Sequence, residues 1–420
     1  MIDQLLFVVY FIVLLFILYR IIKRKKIPLN FWTVAAIFSF KVMLGCLYGW
    51  IFFHYYHGDD TWNFFNDSVA DTQKLIQQPA QFLLDFLPNK AFRQATSWPQ
   101  FLNFYSRDLE YCSTVKLLAI FNVFSHGNYY VDVLLFQFVI VWGPLLLFKL
   151  MSDKYPTKVT WLIVAIFFIP SISFWLSGIR AEGLLLLSFA LILYYTNKRF
   201  QNKKFMGLIW IVLGFLGILI FRLPYLLVLL PAYAGWIISS TNSKRTPLYY
   251  FGLIYLTCVG IFFSSLLISP ARNLSAPLIQ KQQDFFRLHG NTRFELDSLK
   301  PDPTSFIKIL PQAFVNTFAR PYIWEAKGPL QWLSALEVMG AWIVIILVVT
   351  RPEKNWRELV NDPLLVLMVL YGLSQVLIIG FIVPYPGAIV RYKIIPELFL
   401  AIVAVVAIRW NKTEINYNNK

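Results

Sequence analysis

Two adjacent acids, Asp59 and Asp60, follow a long apolar run and form the residue pattern with the clearest chemical potential. They lie in the segment HYYHGDDTW, residues 54–62. Neighbouring carboxylates at a membrane boundary are unfavourable unless solvated or used, and such a pair can act as a general base or bind a metal ion. We therefore predict that both acids are catalytic or bind a divalent cation (Mg or Mn), with His57 beside them in substrate binding. The alternative is a solvated turn, for which Gly-Asp is an ordinary signature.

A second group of ionisable residues lies in a short connection between two predicted spans, in the segment PSISFWLSGIRAEG, residues 170–183. A connection this short places Arg180 and Glu182 near the headgroup level, among residues that are otherwise buried. Ionisable groups in that position are functional candidates by default, so both are predicted to bind substrate. The alternative is a local Arg/Glu pair that only caps two helices.

Three more arginines, Arg222, Arg320 and Arg391, recur at the predicted outside ends of spans. The positive-inside rule predicts few arginines there. Guanidinium groups bind phosphate through paired hydrogen bonds, so together with Arg180 these residues could hold a lipid-linked phosphate or pyrophosphate. For any single arginine the alternative is a side chain that reaches the lipid headgroups.

Two further charges near the spans have predicted partners. Glu325 is predicted to pair with Arg320 or to act on substrate. Lys41 lies in the middle of a span, where a charge is unfavourable. We expect it to face the protein interior, to pair with Asp132 or a backbone carbonyl, and to have a structural role.

These residues must be positioned by membrane-spanning helices. The chain has 420 residues, of which 58% are hydrophobic and 14% charged, and apolar runs of about 20 residues, enough to cross ~30 Å of hydrocarbon, recur along it. A membrane barrel would show alternating segments of about 10 residues instead. We therefore predict an all-α polytopic membrane protein with about 11 transmembrane helices, at 4–22, 31–53, 128–150, 159–177, 181–197, 205–222, 223–241, 247–268, 330–350, 363–383 and 393–409.

The net charge of +16 reports topology. The odd-numbered connections and the C-terminal tail carry 20 of the 38 Lys and Arg residues but only five of the 22 acids. The opposite side is balanced, and this asymmetry predicts the N-terminus out and the C-terminus in. Nucleic acid is therefore not a predicted partner.

The chain reads as a single transmembrane domain, 1–420, with two long extracytoplasmic loops at 54–127 and 269–329. Amphipathic stretches, Thr72 to Leu87, Glu110 to Phe124 and Ser305 to Phe318, predict helices lying in the membrane interface rather than a separate soluble domain. The three cysteines are scattered, which predicts neither a zinc site nor a disulfide framework.

A long outside loop that opens with Gly58-Asp59-Asp60, followed by many spans with outside arginines, resembles the GT-C superfamily of integral membrane glycosyltransferases. The resemblance implies a catalytic acid in that loop and a polyprenyl-phosphate-linked sugar donor. Asp59 would then be the base that activates the acceptor hydroxyl, with Asp60 as an orienting acid or metal ligand. The stretches 170–183 and 320–325 and the pair Arg391-Tyr392 also resemble segments of bacterial envelope repeat-unit polymerases, which implies substrate binding by Tyr392.

The first hypothesis is therefore a glycosyltransferase in the bacterial inner membrane, acting on its extracytoplasmic face. It would transfer a sugar from a lipid-linked donor to an envelope glycan or lipid acceptor, with its arginines on the donor phosphate. A repeat-unit polymerase is the alternative within the same chemistry. A lipid-linked-sugar flippase or transporter is the alternative from another class.

Overall fold

The structure of the chain is a computed structural model that describes residues 2–85, 95–202, 207–242, 244–267, 273–288, 293–326 and 328–410. Within these ranges the secondary structure is helical, apart from one isolated bridge between Pro352 and Ile408. Seven helices of the described part are long and apolar enough to cross a membrane: Asp3–Arg24, Phe31–His54, Tyr129–Lys154, Leu208–Thr241, Pro247–Leu267, Gln331–Thr350 and Pro363–Ile382. The protein is therefore an all-helical polytopic membrane protein, and the count of eleven spans and their orientation stay predictions.

The described residues form two compact units, one from 1–230 and 269–280 and the other from 231–268 and 281–420. The helices that begin in the first unit are α1 (Ile2–Arg24), α2 (Phe31–His54), α3 (Asp60–Gln77), α4 (Pro79–Leu84), α5 (Trp98–Ser125), α6 (Tyr129–Ile140), α7 (Trp142–Lys154), α8 (Val159–Phe167), α9 (Pro170–Trp175), α10 (Ala181–Asn202) and α11 (Leu208–Thr241). The chain continues through α12 (Pro247–Ser264), α13 (Ala276–Arg287), α14 (Pro303–Phe318), α15 (Pro329–Thr350), α16 (Trp356–Val360), α17 (Pro363–Ile382), α18 (Pro386–Tyr392) and α19 (Ile394–Ala407).

The centre of the first unit is the span formed by α6 and α7, of which 78% is buried, against 11% for α1. Gly45 and Gly49 let α2 approach this centre closely. A Cβ on Gly49 would lie 2.2 Å from the Tyr129 ring, and one on Gly45 would lie 2.7 Å from the Ser177 carbonyl oxygen. Small residues four apart on a spanning helix allow such backbone approach.

The first long loop shares its core with the spans. Tyr111 on α5 donates to Asp67 on α3 at 2.6 Å, and Asn122 donates to Ser68 at 2.8 Å. Phe64 from this helix pair packs in one buried cluster with residues of α6 and α10. The predicted amphipathic stretches are helical: the first is divided between α3 and α4 at Gln78, and the second lies within α5. Residues 86–87 of the first stretch lie outside the described residues, and the placement of these helices in the membrane interface stays a prediction.

Two predicted spans, 205–222 and 223–241, meet at a break in α11. Arg222 has φ −158° and ψ 79°, which is not helical, and Pro224 follows two residues later. Proline begins a helix more readily than it continues one, because it lacks the N–H that the helix interior needs. The break coincides with the predicted boundary.

In the second unit the most buried span is α17, with 56% of its residues buried. It crosses α14 closely, since a Cβ on Gly380 would lie 2.2 Å from the Ala313 carbonyl oxygen. The predicted amphipathic stretch from Ser305 to Phe318 is helical, and α14 begins two residues earlier, at Pro303. Asp302 caps it by accepting from the Ser305 amide at 2.8 Å.

Candidate functional site

The predicted catalytic acids lie at the junction of the turn after α2 with α3, where Asp59 precedes the helix and Asp60 is its first residue. His57 has φ 55° and Gly58 φ 116°, and the Gly58 amide donates to the Phe52 carbonyl at 2.9 Å. Glycine adopts such a conformation without the strain that a Cβ would cause. Asp59 then occupies the N-cap position of α3, yet its side chain accepts no hydrogen bond from the helix amides. An N-cap aspartate usually does so, and the carboxylate is therefore directed elsewhere.

The start of α3 is fixed to the centre of the unit by two side chains. The indole of Trp62 donates to the Gly49 carbonyl at 3.0 Å and stacks on Tyr129 with ring centroids 4.0 Å apart. The Thr61 hydroxyl lies 2.9 Å from the Tyr129 hydroxyl. These contacts hold the preceding acids against α2 and α6.

A helix break brings Arg180 to the same place. α8 ends at Phe167, Ile169 is extended with ψ 120°, and α9 begins at Pro170. Proline disfavours the helical conformation at the residue before it, so the predicted span 159–177 is not one continuous helix. After α9, residues 176–180 are non-helical and buried. Such backbone is tolerated in a membrane protein where protein encloses it.

Lys41 and Gln137 hold this buried connection. The Lys41 ammonium donates to the Ser177 hydroxyl at 3.0 Å and to the Leu176 carbonyl at 3.4 Å, while the Gln137 amide donates to the Ser177 carbonyl. The predicted backbone-carbonyl partner of Lys41 is confirmed, and the alternative partner, Asp132, is wrong. A broken helix leaves carbonyls without helical partners, and these side chains satisfy two of them.

The guanidinium of Arg180 contacts both predicted catalytic acids. One of its terminal nitrogens pairs with Asp59, and the other lies 2.6 Å from Asp60. The Tyr48 hydroxyl accepts from Arg180 at 3.0 Å and lies 3.4 Å from the Asp59 carboxylate. The Arg180 side chain is only 2% exposed, against 23% for Asp59 and 56% for Asp60. A buried cation is thus neutralised by acids that reach the surface.

The ionic contacts continue from Arg180 to the break in α11. Glu182 lies 3.9 Å from the Arg180 Nε and 3.6 Å from Arg222, which lies 3.2 Å from Glu110 on α5. The alternative interpretation of the sequence, an Arg180 and Glu182 pair that only caps two helices, does not describe this arrangement. Four helices, α3, α5, α10 and α11, and the connections before α3 and α10 contribute to one ionic network. We define it as Asp59, Asp60, Glu110, Arg180, Glu182 and Arg222.

This network can support acid–base chemistry. It holds four carboxylates and two guanidinium groups, so its formal charge is negative. Asp59 is partly exposed and is oriented by Arg180 and Tyr48, so a substrate hydroxyl could come within hydrogen-bond reach of its carboxylate, as general-base catalysis requires. In the described part of the chain no group of three or more His, Cys, Asp or Glu side chains could hold a metal ion. Asp59 and Asp60 do fit the mode in which Mg²⁺ takes one or two carboxylates together with substrate phosphate.

Sequence reasoning missed two members of the site, Tyr48 and Glu110. Tyr48 is fully buried in α2, between Gly45 and Gly49, and its ring packs against Phe174 at a centroid distance of 5.2 Å. The glycine spacing was a signal that this face of α2 contacts protein. Glu110 is only the first residue of a predicted amphipathic stretch, and nothing in its spacing links it to Arg222.

The second unit contains the predicted pair of Arg320 and Glu325. The Arg320 Nε lies 2.9 Å and 3.2 Å from the two carboxylate oxygens of Glu325, and its guanidinium lies 4.0 Å from the Phe294 ring centroid. Asn316 accepts from the same arginine at 3.2 Å. Partial burial opposes ionisation of Glu325, but the hydrogen bonds from Arg320 and the Tyr322 amide outweigh it and lower the pKa of Glu325.

The remaining predicted site residues are Arg391 and Tyr392 in the second unit and His57 in the first. Arg391 on α18 lies over the ring of Tyr392 at 5.6 Å, and Tyr392 packs against the second-unit cluster that contains Phe294. His57 is exposed in the turn two residues before Asp59. The structure therefore brings together Asp59, Asp60, Arg180, Glu182 and Arg222, whereas Arg320, Glu325, Arg391 and Tyr392 belong to the second unit.

Fold and site together define a polytopic helical membrane protein with a partly buried ionic network beside a broken helix. No protein-family model matches the chain, and neither curated proteins nor solved structures give a significant match.

Proposed function

We propose that the protein is a membrane glycosyltransferase that transfers a sugar from a polyprenyl-phosphate-linked donor to a glycan or lipid acceptor of the cell envelope, on the extracytoplasmic face of a bacterial inner membrane. The observation that carries the proposal is the contact of Arg180 with Asp59 and Asp60. Ionisable residues that approach a span and face protein are functional candidates by default. Here they combine a solvent-accessible base with a cation held in place.

In the proposed reaction Asp59 accepts the proton of the acceptor hydroxyl. The acceptor oxygen then forms a bond to the anomeric carbon of the donor sugar, while the bond from that carbon to the phosphate oxygen breaks. The electron pair leaves with the phosphate, and Arg180 and Arg222 stabilise the developing charge. Tyr48 lies within hydrogen-bond distance of both Arg180 and Asp59 and so fixes the position of the base relative to the cation.

A bound divalent cation fits this proposal, because it would stabilise the phosphate leaving group. Asp59 and Asp60 are the residues that would hold Mg²⁺ or Mn²⁺, which would supply charge neutralisation at the donor phosphate. Asp60, which is 56% exposed, is the more accessible of the two carboxylates.

A repeat-unit polymerase is the second candidate, favoured by the Arg320 arrangement in the second unit. The Arg320 guanidinium lies on the Phe294 ring and contacts both carboxylate oxygens of Glu325. The rings of Tyr322 and Trp324 stack beside it with centroids 4.8 Å apart. Arginine forks suit phosphate or pyrophosphate, and exposed aromatic rings suit sugars. Product length separates the two activities, because a polymerase gives a ladder of repeats and a single transferase gives one addition.

A lipid-linked-sugar transporter is the candidate from another class. The observation in its favour is the helix break before Arg180, since discontinuous helices line substrate sites in many transporters. Movement of a fluorescent lipid-linked sugar across proteoliposomes without any new glycosidic bond would support this candidate and contradict the transferase.

The deciding experiment is sugar transfer by the purified protein in proteoliposomes. Polyprenyl-phosphate-linked hexoses and pentoses are offered with an envelope lipid extract, and products are identified by mass spectrometry. Asp59→Asn should abolish transfer while the protein stays monodisperse. The matched control is Asp67→Asn in the same loop, which keeps an acceptor for the Tyr111 hydroxyl and should leave transfer unchanged. Full transfer by Asp59→Asn would refute the base assignment, and no transfer by the wild type from any donor of this class would refute the proposal.

A further inference from the structure

An apolar cavity of about 370 Å³ lies in the second unit, among the ends of several helices. Its lining comes from the start of α12 and α17, the end of α15 and α19, and the short helix α16. Representative lining residues are Leu248, Val348, Trp356, Val360, Leu365 and Ala407. Nothing in this lining can bind a polar ligand through charge, so the cavity suits a hydrocarbon chain.

Four exposed cations lie within two residues in sequence of Pro352, Trp356 or Ala407, which line this cavity. Arg351, Lys354, Arg357 and Arg409 are all exposed, and none of them pairs with a carboxylate in the described ranges of the chain. The Arg357 guanidinium lies 5.8 Å from the ring of Trp356, which itself lines the cavity. Positive charge and the apolar lining of the cavity are therefore adjacent at Trp356 and Arg357.

Two of these arginines are held opposite one another by backbone pairing. The Arg409 amide donates to the Arg351 carbonyl at 2.8 Å, on one side of the bridge between Pro352 and Ile408. Like charges directly opposite in an antiparallel pair are unfavourable. An anion between the two guanidinium groups would remove that repulsion, and Pro352 lines the cavity.

We propose that this cavity and its four cations form a binding site for an anionic diacyl phospholipid. One acyl chain lies in the cavity, and the phosphate of the headgroup binds between Arg351 and Arg409, with Lys354 and Arg357 beside it. Basic pockets between spanning helices bind anionic headgroups in this way. The site lies in the second unit and does not use the Asp59 network, so it goes beyond the proposed transfer reaction.

Selectivity for an anionic lipid follows from the physics of the bilayer. A hydrocarbon chain gains little by moving from lipid into an equally apolar cavity, because no water is displaced. The four cations must therefore supply the preference, through paired hydrogen bonds between guanidinium and phosphate. Neutral or zwitterionic lipids with the same chains should bind much more weakly.

Native mass spectrometry of the full chain tests this site. The delipidated protein is titrated with phosphatidylglycerol and with phosphatidylcholine of identical chains. We expect one retained phosphatidylglycerol, and the triple variant Arg351→Gln, Arg357→Gln and Arg409→Gln should lower its retention at least about tenfold. Val369→Phe, which fills the cavity without changing charge, should lower retention as well.

The matched control removes three exposed cations from the end of α1 and the residues after it, Arg24→Gln, Lys25→Gln and Lys26→Gln, and should retain the lipid as the wild type does. Equal loss in this control would assign the effect to net charge and overturn the proposal. Three other outcomes would also overturn the proposal. They are equal retention of phosphatidylcholine, unchanged retention of phosphatidylglycerol by Val369→Phe, and displacement of the lipid by inorganic phosphate at equal concentration. Size-exclusion profiles of all variants report their folding independently of lipid.

Discussion

The Arg180 guanidinium and the Asp59 carboxylate form an ion pair between residues 121 positions apart in the sequence, with the cation 2% exposed and the acid 23% exposed. A buried cation has lost its hydration, so its partners are needed for it to stay charged. Because Asp59 and Asp60 reach the surface while Arg180 does not, a substrate can approach the acids without moving the arginine. The pair therefore leaves its acids accessible while its cation stays enclosed by protein.

Removal of the buried cation should destabilise the first unit. Arg180→Met leaves two carboxylates close together without their cation, and breaking a buried pair costs about 3 kcal/mol. We expect a lower thermal midpoint in detergent, followed by tryptophan fluorescence, and partial recovery in the double variant Arg180→Met with Asp59→Asn. The control is Arg107→Met, since Arg107 is 70% exposed and lies 3.8 Å from Asp108, a contact worth about 0–1 kcal/mol. An equal effect of both single substitutions would contradict the role of Arg180.

The close approach of α2 to α6 makes a second prediction. Gly49→Ala would place a Cβ 2.2 Å from the Tyr129 ring, which stacks on Trp62 and so fixes the start of α3. Overpacking of this kind costs about 1–3 kcal/mol, so both the thermal midpoint and sugar transfer should fall.

Gly260→Ala is the control for that substitution. A Cβ on Gly260 in α12 would contact nothing within 4 Å, and alanine in a helix interior is about 0.5–1 kcal/mol more favourable than glycine. The midpoint of this variant should stay the same or rise slightly. A Gly49→Ala protein as stable and active as the wild type would show that α2 and α6 can separate without disturbing the site.

Much of the fold was predictable because it depends on local sequence. Apolar runs fix the long helices, and the boundary predicted at 222 coincides with the break at Arg222, since Pro224 signals it. The break before Pro170 carries the same signal but falls inside the predicted span 159–177, because hydrophobicity alone does not distinguish a spanning helix from two short ones.

The site was only partly predictable, for a physical reason. Asp59, Asp60 and Arg180 stand out as charges near apolar runs, whereas their pairing joins segments more than 100 residues apart, which a single sequence does not encode locally. The spacing of Gly45 and Gly49 marks only a contact face of α2 and not the role of Tyr48, and Glu110 has no unusual spacing. Their roles follow from tertiary contacts with Arg180 and Arg222.

The pair of Arg320 and Glu325 should make the stability of the protein depend on pH. Its hydrogen bonds lower the pKa of Glu325 below the ordinary value of 4.5. A depressed pKa in the folded state adds stability that is fully present above the unfolded pKa and is lost as the pH falls through the folded pKa. Glu325→Gln should therefore lower the free energy of unfolding at pH 7 by about 1 kcal/mol, the magnitude expected for a partly exposed pair. The thermal midpoint should fall accordingly, and the difference from the wild type should vanish in acid.

Thermal scans from pH 3 to pH 7 measure this difference. The control is Glu358→Gln on α16, whose exposed carboxylate lies 3.4 Å from the Asn355 amide and takes part in no arginine fork. A constant difference between the wild type and Glu325→Gln across the whole range would contradict the assignment of the effect to ionisation.

Lys41 makes the last prediction, because it supports Arg180 without touching it. Its ammonium holds the Ser177 hydroxyl and the Leu176 carbonyl, and Gln137 holds the Ser177 carbonyl, three residues before the arginine. Lys41→Met should leave the carbonyl without a donor, lower the thermal midpoint by the equivalent of about 1–3 kcal/mol and reduce transfer. Lys41→Arg, which keeps the donors, should be milder.

Gln137→Leu should have the same effects as Lys41→Met, and the double variant should lose less stability than the sum of the two single losses, since both side chains secure one segment. Strict additivity would mean that Lys41 stabilises the span independently of the connection to Arg180.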